Sequence, residues 1–169
     1  MTDVRAKRRK SAAAATNGAA VGAADAVDPA AVKGYVLEDQ VGFVLRRAHQ
    51  HATEIFNSVM DGFELTPTQF AALAKLHDLG PTSQNQLGRL TGMDPATMFG
   101  VASRLAKRNL VRQSVDPADA RLVILRLTEE GHALVEAMKA RGIEVSRRTL
   151  EPLTPEESAT LCRLLRKLT

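Results

Sequence analysis

From Tyr35 onward, apolar residues recur at spacings of three and four: Leu37, Val41, Val44, Leu45, Ala48, Ala52, Ile55, Phe56 and Val59. That period predicts one long amphipathic helix over 35–61, ending near Gly62. Thr66 ahead of Pro67 is an N-cap with proline at the first helical position. A second helix therefore opens there and runs to about Leu79, with Phe70, Leu73, Ala74 and Leu76 on its buried side. Gly80-Pro81 stops it. Thr82 or Ser83 caps a short helix, Gln84–Thr91, whose apolar positions are Leu87 and Leu90. Gly92-Met93 makes a tight turn, and Asp94-Pro95 starts another helix that reaches about Asn109. Two short helices joined by a Gly-containing turn have the helix-turn-helix layout.

After Leu110 the period drops to two. Leu110–Val115 and Leu122–Leu127 read as strands around the Asp116-Pro117-Ala118-Asp119 turn, so a hairpin is expected. A hairpin directly behind a reader helix is a wing. Thr128 with Glu129 and Glu130 opens a long helix over 129–150, with Gly142 as its one weak point. Thr154-Pro155-Glu156-Glu157 is a capping box for a last helix to about Lys167, with Leu161, Leu164, Leu165 and Leu168 on one face. The expected fold is mainly α with a small β-hairpin wing. A winged helix-turn-helix over 63–128 lies between dimerisation helices over 35–62 and 129–169. Those end helices carry stripes too wide for the small reader to cover, which predicts a twofold dimer with its readers about one DNA turn, roughly 34 Å, apart. A monomer whose two ends fold onto each other is the alternative.

Composition and charge sharpen this picture by region. Residues 1–34 hold twelve Ala and no aliphatic larger than Val, too little to offset the entropy of ordering, so a disordered tail is expected. Its basic cluster, Arg5–Lys10, precedes a stretch without Leu, Ile or Phe that Asn17 and Gly18 break, so it does not make a secretion signal. The tail carries six basic and three acidic groups, leaving 17 against 16 for the rest. The high pI is thus no argument for nucleic acid by itself. From Arg89 to Arg126, however, seven basic residues face three acids. One cysteine, Cys162, excludes an internal disulfide framework and points to a reducing, cytoplasmic setting. No apolar run of about 18 residues exists, so no membrane span is expected.

The motifs resemble those of the MarR family of winged-helix regulators over about 37–168. Asp119-x-Arg121, five residues and then Leu127-Thr128 mark the tip and exit of the wing. Thr66-Pro67-x-Gln69-Phe70-x-x-Leu73 matches at the second helix, and Gln86-Leu87, Thr91-Gly92-Met93-Asp94-x-x-Thr97 and Val101-x-x-Arg104-Leu105 match at the reader. The resemblance implies a homodimer on a pseudo-palindromic double-stranded operator, acting as a repressor and released by a small ligand. It departs from the family at Gly100 and Ala120, where members often carry Lys or Arg.

On a helix begun at Asp94, Met98, Val101, Ala102 and Leu105 fall on the packed face. Ala96, Thr97, Gly100, Ser103, Arg104 and Lys107 fall on the other, with Phe99 at the edge. Such a rod fits the major groove. Thr97 and Ser103 can bond base edges or phosphate, Arg104 can read guanine through two bonds, and Phe99 can meet a thymine methyl. Ser83 and Gln84, at the start of the first helix of the pair, complete the DNA-facing set with Lys107. Arg121 can enter a minor groove from the wing, or pair with Asp119 or Asp116 and shape the tip. A solvated helix face is the plain alternative for Arg104 and Lys107.

The first helix carries Arg46, Arg47, His49 and His51, with Phe43 and Phe56 near them and Phe63 and Phe70 at its junction with the second. Arginines on a groove can pair with a carboxylate or phosphate, which suits an aromatic acid or its coenzyme A thioester. Gly42-Phe43-x-Leu45-Arg46-Arg47-Ala48-His49 is similar to family members that govern aromatic-acid catabolism. Ordinary surface or dimer roles are the alternative for these residues. A redox role for Cys162 and a winged helix that binds protein in place of DNA are the remaining alternatives. No phosphate loop, metal-ligand spacing or Ser/His/Asp context is present, so neither an enzyme nor a cofactor or metal site is expected.

Overall fold

In the computed structural model, residues 33–169 are described. The expected tail over 1–34, with Arg5–Lys10, therefore lies almost wholly outside the described residues. The chain divides at Gln40 into two units. In the first, Leu37–Asp39 form a single 3-10 turn, and Gln40 donates from Nε2 to the Val36 carbonyl at 2.9 Å. The second begins with helix α1, Val41–Val59. The helix expected over 35–61 thus starts six residues late. Val36 and Gln40 take extended backbone, and no side chain caps the turn between them. Leu37 and Val41 keep the helical spacing across the break, which hid it from the periodicity.

Helix α2, Pro67–Leu79, opens as the local chemistry demands. Thr66 Oγ1 accepts from the Gln69 backbone N–H at 3.3 Å, while Gln69 Oε1 accepts from the Thr66 N–H at 2.9 Å. Then come β1, Thr82–Ser83, and helix α3, Gln84–Leu90, for which Ser83 is the cap. Helix α4 spans Pro95–Lys107, strands β2 and β3 span Val111–Val115 and Val123–Leu127, helix α5 spans Glu129–Leu150, and helix α6 spans Pro155–Leu165. Helix α5 passes Gly142 without interruption. The sheet is three-stranded and antiparallel, in the order β1-β3-β2. The expected hairpin is present as β2 and β3, and β1 adds a third strand to it: two residues have no period to read, and Thr82 and Ser83 pair with Leu125 and Ile124.

Register places Val111 against Leu127, Gln113 against Leu125 and Val115 against Val123; on this face Val111 and Leu125 are buried, while Gln113 and Val115 toward the wing tip stay exposed. Leu125 closes there on Leu73, Leu76, Leu87, Val101 and Leu105, all essentially inaccessible. Each such burial contributes about 1.5–3 kcal/mol. Leu90, expected inside, is exposed, because the two-turn α3 buries only Leu87 and Gly88. Ala72, not Ala74, is the fully buried alanine of α2.

The start of α5 is fastened to the end of α4. Thr128 Oγ1 donates to the Asn109 carbonyl at 2.6 Å and accepts from the Gly131 N–H at 3.0 Å. A Cβ on Gly131 would stand 2.1 Å from the Leu110 carbonyl oxygen, so only glycine fits. The ends of the unit differ from this body. Helix α6 has its capping box, Thr154 with Glu157, but no buried residue. Val41, Val44, Leu161, Leu164 and Leu168 all stay exposed.

Candidate nucleic-acid interface

The reader, α4, is built from its first residue. Asp94 Oδ1 accepts from the Thr97 backbone N–H at 2.9 Å, and Oδ2 accepts from the Thr97 hydroxyl at 2.6 Å. The hydroxyl and then the N–H hold the Asp94 carboxyl below the usual carboxylate range. The Thr97 donor is thereby used within the cap. Met98, Val101, Ala102 and Leu105 form the packed face, as the period predicted. On the opposite side Thr97, Arg104 and Lys107 are exposed, Ser103 and Gly100 are half-buried, and Phe99 is 63% exposed.

Arg104 lies back over Gly100, so a Cβ there would sit 3.5 Å from its guanidinium nitrogens. Helical side chains lean toward the N-terminus, and the missing side chain at Gly100 leaves that path open. The charge absent at Gly100 is thus partly replaced by the Arg104 guanidinium one turn on.

Ser83 and Gln84 sit at the neighbouring helix start. Ser83 Oγ accepts from the Gln86 N–H at 3.3 Å as the α3 cap. Gln84, Asn85, Gly88, Arg89 and Pro95 line a cleft of about 240 Å³ between α3 and α4. Asn85 and Arg89 were missed as site residues. Their signal was their spacing of four, one helical turn from each other on the exposed side of α3.

The Arg121 side chain projects from the wing tip, 90% exposed. Its Nε and Nη2 each donate to Asp119 at 3.0 Å, and its backbone N–H donates to Oδ1 as well. That fork holds the Asp119 carboxyl below its usual range. Of the two readings of Arg121, the pair with Asp119 is present, and the side chain remains exposed beside it.

The expected effector residues fall into two groups. Phe63 and Phe70 gather at the junction of α1, α2 and α5. The Phe56 and Phe70 rings are 5.9 Å apart, and the Arg141 guanidinium lies 5.2 Å from the Phe63 centroid. Phe43, Arg46, Arg47, His49 and His51 lie on the outer part of α1, where all but Phe43 are exposed. Thirteen residues of helix put Phe43 about 20 Å along the axis from Phe56. Among the described residues only His51 in this group has an acidic neighbour, with Glu54 at 3.9 Å. Cys162 is half-buried in α6. Arg141 was not anticipated, since its contacts cross 82 residues of sequence.

Residues 65–123 match the profile of the MarR family. The HTH-type transcriptional repressor NicR of Pseudomonas putida is 41% identical over 134 residues, covering 79% of this chain and 85% of that protein. The chain belongs to the MarR family. Solved members agree with it in shape. A probable transcriptional regulator from Pseudomonas aeruginosa is 46% identical, covers 79% of this chain and 100% of its own, and superposes with a TM-score of 0.75. BpsR of Bordetella bronchiseptica, whose DNA binding is regulated by 6-hydroxynicotinic acid, is 40% identical. That comparison covers 79% of this chain and 96% of BpsR, with a TM-score of 0.75. Like these MarR-family proteins, the chain is a winged-helix transcriptional regulator. Among the described residues no helix is long and apolar enough to cross a membrane.

Proposed function

We propose that the chain is a homodimeric repressor that binds a pseudo-palindromic duplex operator and is released from it by a small aromatic acid. The observation that carries DNA binding is α4 itself. One face is wholly buried and the other presents Thr97, Phe99, Arg104 and Lys107 beside the outstretched Arg121. A rod of these dimensions enters a major groove while a narrow wing reaches the adjacent minor groove. The exposed Val41 and Val44 of α1 and Leu164 of α6 support the dimer, since a second copy would cover them. In this reading residues 63–128 read DNA and the flanking helices pair the subunits. A fluorescence titration of duplex DNA tests it: affinity falls at least about tenfold between about 50 and about 200 mM salt, as released counterions require. A winged helix used only to bind protein gives no such slope.

The effector reading rests on Phe56, Phe63 and Phe70 with Arg141, an aromatic cluster beside a guanidinium, and on the likeness to BpsR. Arg46, Arg47, His49 and His51 join that cluster only if a second copy brings them to it. Thermal shifts with 6-hydroxynicotinate, benzoates and hydroxycinnamates, free and as thioesters, decide the matter. No shift with any of them removes the aromatic-acid reading and leaves DNA binding untouched.

A further inference from the structure

Two arginines grip the loop between α1 and α2 from opposite sides. Arg141 of α5 donates from Nη1 to the Val59 carbonyl at 2.9 Å and covers the Phe63 ring. Arg108, which closes α4, donates from Nη2 to the Phe63 carbonyl at 3.1 Å and from Nη1 to the Glu64 carbonyl. The loop turns through Gly62 at φ +85° and Glu64 at φ +51°, conformations that leave its carbonyls outside any regular ladder. A planar fork satisfies two of them at once.

We propose that Arg108 is a positioning residue for duplex binding, its fork to the Phe63 and Glu64 carbonyls setting the tilt of the reader helix against the end of α1. The inference rests on the DNA-binding reading above. Lys107 faces outward, whereas Arg108, about 100° further round the helix, turns its charge onto the loop. Helix α4 is 13 residues long, about 20 Å. A tilt of about 10° at its closing end moves the Thr97 end by about 3 Å, the length of a hydrogen bond. In a dimer joined through α1, this loop is where each reader takes its angle relative to the other. A ligand beside Phe63 acts on the backbone that Arg108 holds.

The test uses full-length protein and duplexes it selects from a random pool, titrated over a salt series. Arg108→Lys keeps the charge on an exposed site but replaces the planar two-nitrogen fork with a single nitrogen on a shorter stem. It is expected to weaken binding at least tenfold, with the wild-type salt slope and an unchanged dimer by sedimentation. Arg108→Gln is expected to do the same with the slope still unchanged, whereas Lys107→Gln lowers the slope by about one. Wild-type affinity in Arg108→Lys overturns the proposal, and so does a slope reduced by about one in Arg108→Gln, which would make Arg108 a phosphate contact. Should Arg108→Gln fail to fold, Arg108→Lys alone decides. A wild-type protein that selects no duplex overturns the DNA-binding reading together with this one, whereas failure of the variants alone leaves that reading intact.

Discussion

The winged body and the terminal helices treat apolar surface in opposite ways. Leu73, Leu87, Val101 and Leu105 of the body are 1% exposed or less. Val41, Val44 and Leu164 of the ends face outward, although they sit on well-capped or strongly amphipathic helices. The body is finished by its own chain. In the proposed dimer the ends are finished by association, which would tie their order to protein concentration. Capping and period decide that a helix forms, and burial decides whether it can stand alone.

The largest expected effect falls in the body. Leu73→Ala, at a site with no accessible surface, is expected to lose about 3 kcal/mol. The urea midpoint should then fall by the same amount at every protein concentration. A concentration-dependent loss would erase the contrast between the two regions. Next comes a paired change at the ends, Val44→Glu with Leu164→Glu, expected to weaken self-association at least tenfold in sedimentation while leaving the core's near-ultraviolet signal intact. Unchanged sedimentation would mean that these faces are not where copies meet.

Arg121→Ala is expected to keep the dimer and weaken duplex binding about tenfold. An unchanged mobility-shift titration would leave Arg121 as a tip-shaping residue only. The smallest effect is electrostatic and lies on α5. Glu144 accepts from Arg147 Nε at 2.7 Å and Nη2 at 2.9 Å, and from Arg148 Nε at 2.7 Å. Arg147 first and then Arg148 pull its carboxyl down to about 2. A depressed carboxyl stabilises the fold above the ordinary glutamate range and loses that contribution as pH falls toward 2. Because the site is solvent-exposed, the wild type should melt only about a degree above Glu144→Gln at pH 7. The gap should close as the pH approaches 2. A gap that widens on acidification would reverse the sign.

Much of the fold was legible because its signals are local. Thr66-Pro67, Asp94-Pro95 and Thr154-Pro155 place three helix starts within a residue, and the helical period alone assigns Met98, Val101, Ala102 and Leu105 to the inside. The β1 strand was not legible, since two residues carry no alternation and only the partner strand defines them. Nor was the break at Gln40, where the apolar spacing continues across extended backbone. At the candidate site, exposure of Arg104, Lys107 and Arg121 follows from the pattern. The roles of Arg108 and Arg141 do not, because their partners lie 44 and 82 residues away and are backbone carbonyls, which leave no trace in residue types.

The Asp119 fork gives the wing an unusual economy of motion. A guanidinium held by its own neighbour would surrender less freedom on docking than one that swings free. It also arrives with a counter-charge attached, so its attraction to a polyanion is blunted at long range. In the proposed complex such a tip would discriminate among grooves by width and contour more than by potential.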